Sequence, residues 1–310
     1  MSNSSTVTIA CALCVGAARE LYLGAALEAI APVVDILVVN DNSGEERSAN
    51  LATLESSAFA ARGALRVRRN PFVDFADMRN RAFAGLRELS APPDWVLFLD
   101  ADEVHGPELP YIVREILPRL GPEVAQLDGY TYHFFGTFGW ITDIARRMMF
   151  FRYSPRLRWT DPVHEKLVGL EGKTVVIPYV YYHYGNVLPP RMLAEKHLRY
   201  FALGNKVPRP PDADEADAEV YLAKADDVRP FRGLQPPAAR ATLAELESTY
   251  AGDLAALDAA LRARRNLKAT LVSTFRAANE SLRVKLRHAE RPGFFSPHSA
   301  TGPLPSGSKP

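Results

Sequence analysis

The stretch that decides the fold of this chain is DWVLFLDADE, residues 94–103. Its apolar run, residues 95–99, is unbroken, which is typical of a short strand buried on both faces of a covered parallel sheet. Three carboxylates follow at residues 100–103, where this strand is expected to end. Because an unpaired buried charge is costly, we expect these carboxylates to lie outside the core and to bind a cation.

The spacing of Asp100 and Asp102 suits a shared metal ion. One residue separates them, so in an extended segment both side chains leave the same face of the strand. Oxygen ligands of this kind suit Mg²⁺ or Mn²⁺, and the open positions of the ion can take a diphosphate. The alternative is an acidic turn that caps the strand and binds nothing.

Composition limits the classes of protein to which the chain can belong. Its 310 residues are 47% hydrophobic, enough for a sizeable core, and a net charge of +1 gives no footprint for nucleic acid. No apolar run is long enough to span a bilayer, and residues 1–5 do not resemble a signal peptide. We expect a cytoplasmic protein, with contact at the inner face of the membrane left open. Cys11 and Cys14 lack a second pair for a zinc site and are interpreted as small strand residues.

Strands and helices alternate through the first hundred residues. Strands are predicted at 6–13, 33–39, 64–68 and 95–99, with helices at 17–30, 45–61 and 75–89 between them. This alternation predicts an α/β fold with a parallel sheet and crossover helices.

The pattern changes after a further predicted helix at 106–120. Strands are predicted at 129–135, 148–153 and 174–183, with an aromatic, glycine-containing loop at 134–140 and a helix at 191–204. The chain is divided into a catalytic domain at 1–205, a linker and helical extension at 206–291, and a disordered tail at 292–310. The extension has predicted helices at 238–246 and 253–290, and the second is amphipathic and basic. This helix is expected to pack on the domain, on another copy of the chain or on an anionic membrane.

Two further polar residues stand at predicted ligand-binding positions. Asp41 follows the second strand, where open α/β sheets bind ligands, and either hydrogen-bonds a ribose or base edge or forms an Asx-turn or helix cap. Arg79 lies in the first turns of the third helix, where its charge opposes the helix dipole, so it needs a phosphate or carboxylate partner. Arg81 needs no such explanation because Asp77 precedes it by four residues.

Three motifs, taken in order, resemble family 2 glycosyltransferases of the GT-A fold. Residues 38–43, VVNDNS, resemble the first nucleotide loop of that family, with Asn40 in place of its first aspartate. Residues 76–80, ADMRN, are similar to its arginine–asparagine helix start, and residues 99–103, LDADE, match its D-x-D motif. The resemblance covers residues 6–200 and implies a Rossmann-like, mostly parallel central sheet flanked by helices, with a C-terminal helical extension outside it.

The later motifs are closest to the lipopolysaccharide-core type of β-glucosyltransferase. Residues 162–165, PVHE, and residues 182–185, YHYG, resemble two segments of that subgroup. The resemblance implies a transfer of a sugar from a nucleotide-diphosphate donor, most readily a UDP-sugar, to a glycan, a lipid-linked or a small-molecule acceptor.

On the donor side, the resemblance implies a Mn²⁺ or Mg²⁺ ion held by Asp102. It places Asp100 on the ribose or on the same ion, and adds Arg79 as a fixed positive charge. His183 is either a third metal ligand or a buried histidine hydrogen-bonded beside the neighbouring tyrosines.

On the acceptor side, the resemblance places Glu165 at the position of the catalytic base of inverting members. Asp161 is the competing base, and His164 either orients Glu165, touches the acceptor or makes a structural contact only. Two other functions stay open: a metal-dependent nucleotidyltransferase, and a non-catalytic nucleotide-sugar binder or assembly protein.

Overall fold

The computed structural model describes residues 7–16, 19–44, 48–204, 212, 214 and 228–264. The first half of this chain forms four parallel strands, each preceding a helical segment. The strands are β1 (Ile9–Val15), β2 (Ile36–Asp41), β3 (Leu65–Arg69) and β4 (Trp95–Phe98). The helices between them are α1 (Leu23–Ile30), α2 (Leu51–Glu55), α3 (Ala58–Ala61) and α4 (Phe75–Arg87).

The second half is built mainly from long strands. A short strand β5 (Glu103–Val104) leads into α5 (Leu109–Tyr111), which continues as a π-helix (Ile112–Ile116) and a 3₁₀ turn (Leu117–Arg119). The later strands are β6 (Val124–Phe135), β7 (Thr137–Arg152), β8 (Arg158–Thr160), β9 (Lys166–Val168), β10 (Lys173–Asn186) and β11 (Arg229–Pro230). The later helices are α6 (Pro190–Ala202), a 3₁₀ turn (Pro237–Ala239), α7 (Arg240–Thr249) and α8 (Ala251–Arg264).

One nine-stranded sheet organises the described residues. Its order is β3-β2-β1-β4-β7-β6-β10-β5, and β11 pairs with the N-terminal part of β7, at Trp140 and Ile141. The pairings make every strand except β5 and β7 run in the same direction. The predicted α/β class with a mostly parallel, helix-flanked sheet is therefore confirmed. Separate from it, β8 and β9 form a small antiparallel hairpin.

The decisive strand is buried as predicted. The strand is fully buried at four positions, Trp95, Val96, Leu97 and Leu99. Their side chains belong to the apolar clusters on the two opposite faces of the sheet. Their apolar side chains therefore fill both faces, and the chain leaves the sheet only where the carboxylates begin.

Two predicted helices are shorter than expected. The helix predicted at 17–30 begins at Leu23. Before it, Asn50 accepts from the Glu20 amide at 2.7 Å and donates to the Gly16 carbonyl at 3.1 Å, which holds these two residues outside the helix. The helix predicted at 45–61 is two short helices, separated where Ser57 caps the second through the Ala60 amide. Local side-chain bonds to the backbone outcompete helical propensity in both places.

The aromatic loop predicted at 134–140 is instead part of a β-hairpin. β6 and β7 pair up to Phe135 and Thr137, and Gly136 makes the turn with φ of 72°, a conformation that suits glycine. Phe134, Phe138 and Trp140 are buried against the C-terminal helices, so these rings form core.

The C-terminal helices pack on this hairpin. Leu243 and Leu246 of α7 join the cluster around Phe134, and Leu257 and Leu261 of α8 join the cluster around Trp140. The second predicted helix, 253–290, is seen as α8 up to Arg264, and its remainder and the 292–310 tail lie outside the described residues. Within the described residues, no helix is both long enough and apolar enough to cross a membrane.

Candidate active site

Arg79 is the centre of the site at the carboxyl edge of the sheet. Its Nη2 lies 2.9 Å from Oδ1 of Asp100 and its Nε lies 2.5 Å from Oε1 of Glu165. The guanidinium stacks over the rings of Phe98 and Trp159, at 4.6 Å and 5.2 Å from their centroids. Although burial opposes the charge, Asp100 and Glu165 raise the pKa of Arg79, so the side chain is a permanent cation. The sequence predicted a phosphate or carboxylate partner for Arg79, and the structure shows two carboxylate partners, Asp100 and Glu165.

The first turn of α4 is fixed to the end of β2. Asp74 caps the helix by accepting from the Asp77 amide at 2.7 Å. The amide of Asn40 donates to the Met78 carbonyl at 2.9 Å and to Asn42 Oδ1 at 3.0 Å. Both partners are acceptors, so an asparagine fits here, whereas an aspartate could donate to neither.

Asp41 makes the Asx-turn that was one of its two predicted roles. Its Oδ1 accepts from the Ser43 amide at 3.0 Å. Its Oδ2 is buried and has no hydrogen-bond partner among the described residues. One carboxylate oxygen therefore shapes the loop, and the other is left for a ligand hydroxyl or amine, so the second predicted role stays a prediction.

Asp100 and Asp102 are not on one face of an extended segment, contrary to the spacing argument. Residues 100–103 form a tight turn, closed by a hydrogen bond from the Glu103 amide to the Asp100 carbonyl at 3.0 Å. The turn separates the two side chains: Asp100 faces Arg79 and Arg147, and Asp102 faces His183 and Lys196.

Glu103 lies in the core, which corrects the expectation that none of the three carboxylates would. It has 0% exposure and accepts from the Asp100 amide at 3.0 Å. Burial, with the neighbouring charge of Asp100, raises its pKa to about 8, although Arg147 at 3.3 Å works in the opposite direction. Glu103 and Arg147 together form a hydrogen-bonded pair beneath the turn, and their role is to hold it.

Asp102 and His183 face each other across the site. His183 Nε2 lies 3.4 Å from Asp102 Oδ1, and its other ring nitrogen lies 3.1 Å from Nδ1 of His133 on the neighbouring strand. Burial lowers the pKa of His183, against the effect of Asp102, and lowers that of His133 to about 3. Both imidazoles are therefore neutral at pH 7, the state in which a histidine binds metal. The ring of His183 is thus hydrogen-bonded to another histidine, and its two predicted roles, as a metal ligand or as a buried hydrogen-bonded histidine, both stay predictions.

Lys196 is a residue of the site to which the sequence pattern assigned no role. Its Nζ lies 3.3 Å from Asp102 Oδ2 and 2.8 Å from the carbonyl of Gly185. Burial alone would raise the pKa of Asp102, but His183 and Lys196 hold it at about 2. Because His183 is neutral at pH 7, the ammonium of Lys196 is the charge that matters at that pH.

Glu165 is carried by the β8–β9 hairpin. Asn80 of α4 fixes this hairpin by donating to the Trp159 carbonyl at 2.9 Å and accepting from the Trp159 amide at 2.8 Å. The loop between the strands contains two strained residues, Asp161 with φ of 69° and His164 with φ of 58°. Glu165 follows these two residues and turns inward to Arg79, and its side chain is 14% exposed.

Asp161 and His164 are exposed on the same hairpin. Asp161 is exposed and pairs with Lys166 at 3.1 Å, outside the Arg79 cluster. His164 is also exposed. The structure therefore joins Glu165 to Arg79 and Asp100, and leaves its predicted competitor Asp161 on the rim of the hairpin.

Tyr200 lies close to the charged residues of the site. It lies one turn after Lys196 on α6 and stacks on Phe75, with ring centroids 5.1 Å apart. Burial raises the pKa of Tyr200, and the charges that act on it are those of Lys196, Asp102, Asp100 and Glu165. Charges from both ends of the site therefore act on the Tyr200 hydroxyl. No motif in the sequence indicated that Tyr200 lies near the site.

The donor set fits a divalent cation at Asp102 and His183. Oδ1 of Asp102 is buried without a hydrogen bond among the described residues, and it faces a neutral imidazole nitrogen. Two ligands of one ion, each about 2.1 Å from it, lie roughly 3 to 4 Å apart, which matches the 3.4 Å observed. A Cβ at Gly185 would lie 2.8 Å from Nε2 of His183, so the glycine keeps this place open.

The protein does not supply a complete set of ligands. Among the described residues, no group of three or more His, Cys, Asp or Glu side chains is placed to hold one ion. Asp100, which the resemblance offered as a neighbour on the same ion, is turned to the arginines. The remaining positions of an ion at Asp102 are therefore left to water or to a ligand.

No family profile and no curated protein match this chain. It is similar to a solved structure of glucosyl-3-phosphoglycerate synthase from Mycobacterium tuberculosis with Mn²⁺, UDP and glucosyl-3-phosphoglycerate, at 20% identity over 41% of this chain and 45% of that one, with a TM-score of 0.30. It is similar to S. aureus TarS at 12% identity over 71% and 69% of the two chains, with a TM-score of 0.36.

A third similar structure is 4-diphosphocytidyl-2C-methyl-D-erythritol synthase from Anaerococcus prevotii, at 16% identity over 49% and 73% of the two chains, with a TM-score of 0.33. The match spans less than half the length of the glucosyl-3-phosphoglycerate synthase. With TM-scores this low, we infer no function from these similarities and rely on the geometry of the site.

Proposed function

We propose that this chain is a metal-dependent glycosyltransferase that moves a sugar from a nucleoside-diphosphate donor to an acceptor hydroxyl, with inversion. The observation that carries the proposal is the division of the site into two ends. Asp102 and His183 form a metal-binding end, Glu165 forms a separate carboxylate end, and Arg79 with Asp100 joins them. Sugar transfer needs this division, because the leaving diphosphate and the attacking hydroxyl stand on opposite sides of the anomeric carbon.

On the donor side, Asp102 and His183 would hold Mn²⁺ or Mg²⁺, which supplies a Lewis acid for the charge that develops on the diphosphate. The mixed oxygen and nitrogen pair favours Mn²⁺, since Mg²⁺ takes oxygen ligands. Oδ2 of Asp41, buried and without a hydrogen bond among the described residues, would take a ribose hydroxyl. The resemblance makes a UDP-sugar the first donor to test.

On the acceptor side, Glu165 accepts the proton. Arg79 holds Oε1, which fixes the carboxylate and leaves Oε2 directed to the acceptor. The acceptor oxygen forms a bond to the anomeric carbon while the bond from that carbon to the diphosphate oxygen breaks. The hydroxyl proton passes to Glu165, and the nucleoside diphosphate leaves. Tyr200 and Phe75 offer an aromatic surface beside this path.

A thermal-shift screen tests the donor half of the proposal. The protein is heated with UDP, GDP, dTDP or CDP, each with Mn²⁺, Mg²⁺ or EDTA. A ligand at about one hundred times its Kd stabilises the native state by about 2.7 kcal/mol, so one nucleotide should raise the Tm, and only with metal.

Two variants complete the screen. Asp102→Ala should lose the shift, because it removes the ion's carboxylate ligand, and Asp253→Ala, which changes an exposed carboxylate on α8, should keep it. A shift that is equal in EDTA, or that survives in Asp102→Ala, would contradict the proposal.

A further inference from the structure

The position of α6 brings a cation to the carboxylate that is offered to the metal. The helix begins at Pro190, shortly after β10 ends, and its buried Leu193 and Ala194 pack it against the domain. Lys196 consequently lies on the face turned to the sheet edge, with its side chain only 27% exposed. Its ammonium has two acceptors, Asp102 Oδ2 and the Gly185 carbonyl, at 3.3 Å and 2.8 Å.

The two oxygens of Asp102 face different partners. Oδ2 faces the Lys196 ammonium, and Oδ1 faces the neutral His183 and has no hydrogen bond among the described residues. A divalent ion at Oδ1 and His183 would therefore share one carboxylate with an ammonium. Two cations so close together in a sheltered site repel each other strongly, so the arrangement favours one of them at a time.

We propose that Lys196 is the resident counter-ion of Asp102, that a divalent cation displaces it, and that the displaced ammonium then binds the diphosphate of the donor. The last part rests on the proposed function. An ammonium on a flexible four-carbon stem is a common phosphate ligand, and it can change partners without moving the backbone. Tyr200 lies one turn later on the same helix, also close to the charges of Lys196 and Asp102.

The displacement is tested on the nucleotide-free full chain by Mn²⁺ titration, with free Mn²⁺ followed by electron paramagnetic resonance. Lys196→Met keeps the length of the stem and removes the charge. It should bind Mn²⁺ roughly tenfold more tightly than the unmodified protein, because the competing cation is absent. Arg191→Met on the exposed face of the same helix is the matched control and should leave Mn²⁺ affinity unchanged. Equal or weaker Mn²⁺ binding by Lys196→Met overturns the displacement.

The diphosphate role is tested by calorimetric titration of UDP in saturating Mn²⁺. UDP should bind roughly tenfold more weakly to Lys196→Met than to the unmodified protein, and Lys196→Arg should recover most of the loss. Unchanged UDP affinity in Lys196→Met overturns this part. If the unmodified protein binds no nucleotide with any metal, the proposed function fails, whereas tighter Mn²⁺ binding by Lys196→Met would still support the displacement.

Discussion

At the scale of single residues, Arg79 holds the candidate site together. Its guanidinium packs on the rings of Phe98 and Trp159 and binds one carboxylate from the turn after β4 and one from the β8–β9 hairpin. Asp100 and Glu165 would repel each other without it. The same cation therefore stabilises the fold and sets the position of the proposed base.

Replacing Glu165 with Gln removes the proposed proton acceptor and keeps the shape of the side chain. We expect turnover to fall by about 10² to 10⁴, the usual contribution of a general base. Donor binding should be nearly unchanged, because Glu165 stands at the other end of the site from Asp102. Steady-state kinetics with a titration of the donor nucleotide measures both, and full turnover by Glu165→Gln would reject the assignment.

Replacing Arg79 with Met leaves two carboxylates without their shared partner. Breaking a buried ion pair costs about 3 to 5 kcal/mol, and we expect about 3 kcal/mol here because Asp100 is partly exposed. Arg81→Met, two positions along, breaks a partly exposed pair with Asp77 and a hydrogen bond to Asn70, and should cost about 1 kcal/mol. Chemical denaturation of both variants gives the comparison, and equal losses would contradict the role of Arg79.

His105 makes the stability of the fold depend on pH. The ring of His105 is buried and stacks on the rings of Tyr179 and Tyr181. Burial lowers the pKa of His105 to about 3, whereas the pKa of a histidine in the unfolded chain is about 6.5. The unfolded state thus binds the proton first, so the stabilising effect of the neutral ring is lost as the pH falls from about 6.5 towards 3.

The corresponding variant is His105→Phe, which cannot be protonated. Between pH 7 and pH 5 the unmodified protein should lose roughly 2 kcal/mol more stability than this variant. Denaturation midpoints at the two pH values measure the difference, and equal losses in the two proteins would contradict a neutral buried His105.

Sequence reasoning located residues of the site but not all their partners. The dipole argument indicated that Arg79 needed an anion, and the structure supplies two carboxylates. The argument from period-two spacing at Asp100 and Asp102 was wrong, because the chain turns there and does not stay extended. Lys196 and Tyr200 carried no signal, since their meaning depends on where α6 packs, which no local pattern specifies.

At the scale of elements, the site depends on the contact between α4 and the β8–β9 hairpin. Asn80 of α4 binds both backbone groups of Trp159, and Arg79, the preceding residue, binds Glu165 of the same hairpin. A two-stranded hairpin outside the main sheet is weakly stable by itself. The helix therefore determines where the proposed base stands.

Replacing Asn80 with Ala removes both hydrogen bonds to Trp159. The free energy of unfolding should fall by about 1 to 3 kcal/mol, because two backbone groups lose their partner. Turnover should fall by more than donor affinity does, since the hairpin carries Glu165 and not the metal-binding pair. Denaturation, kcat and the nucleotide Kd are the three measurements, and an equal proportional loss of kcat and affinity would contradict this division.

The lengths of elements were less predictable than their order. The alternation of strands and helices along the chain, and the burial of β4, follow from apolar runs. These runs depend on neighbouring residues alone. The shortened α1 depends on Asn50, thirty residues later, and the long β6–β7 hairpin depends on core positions created by α7 and α8. Such long-range contacts override local propensity.

At the scale of the whole molecule, the sheet gathers side chains from distant parts of the sequence at one edge. β4 delivers Asp100 and Asp102, β10 delivers His183, and α6, entering directly after β10, delivers Lys196. The carboxyl ends of parallel strands meet at this edge, which is where open α/β sheets bind ligands. The two ends of the site are thus a consequence of the topology.

The most direct test of the proposed function is the identity of the phosphate product. The protein is incubated with a panel of nucleotide sugars and candidate acceptors, and separately with nucleoside triphosphates and sugar phosphates, in Mn²⁺ and in EDTA. We expect release of a nucleoside diphosphate from one donor with Mn²⁺, none in EDTA or from Asp102→Asn, and about 10² to 10⁴ less from Glu165→Gln. Release of pyrophosphate from a triphosphate, or turnover that persists in EDTA and in Asp102→Asn, would contradict a metal-dependent glycosyltransferase.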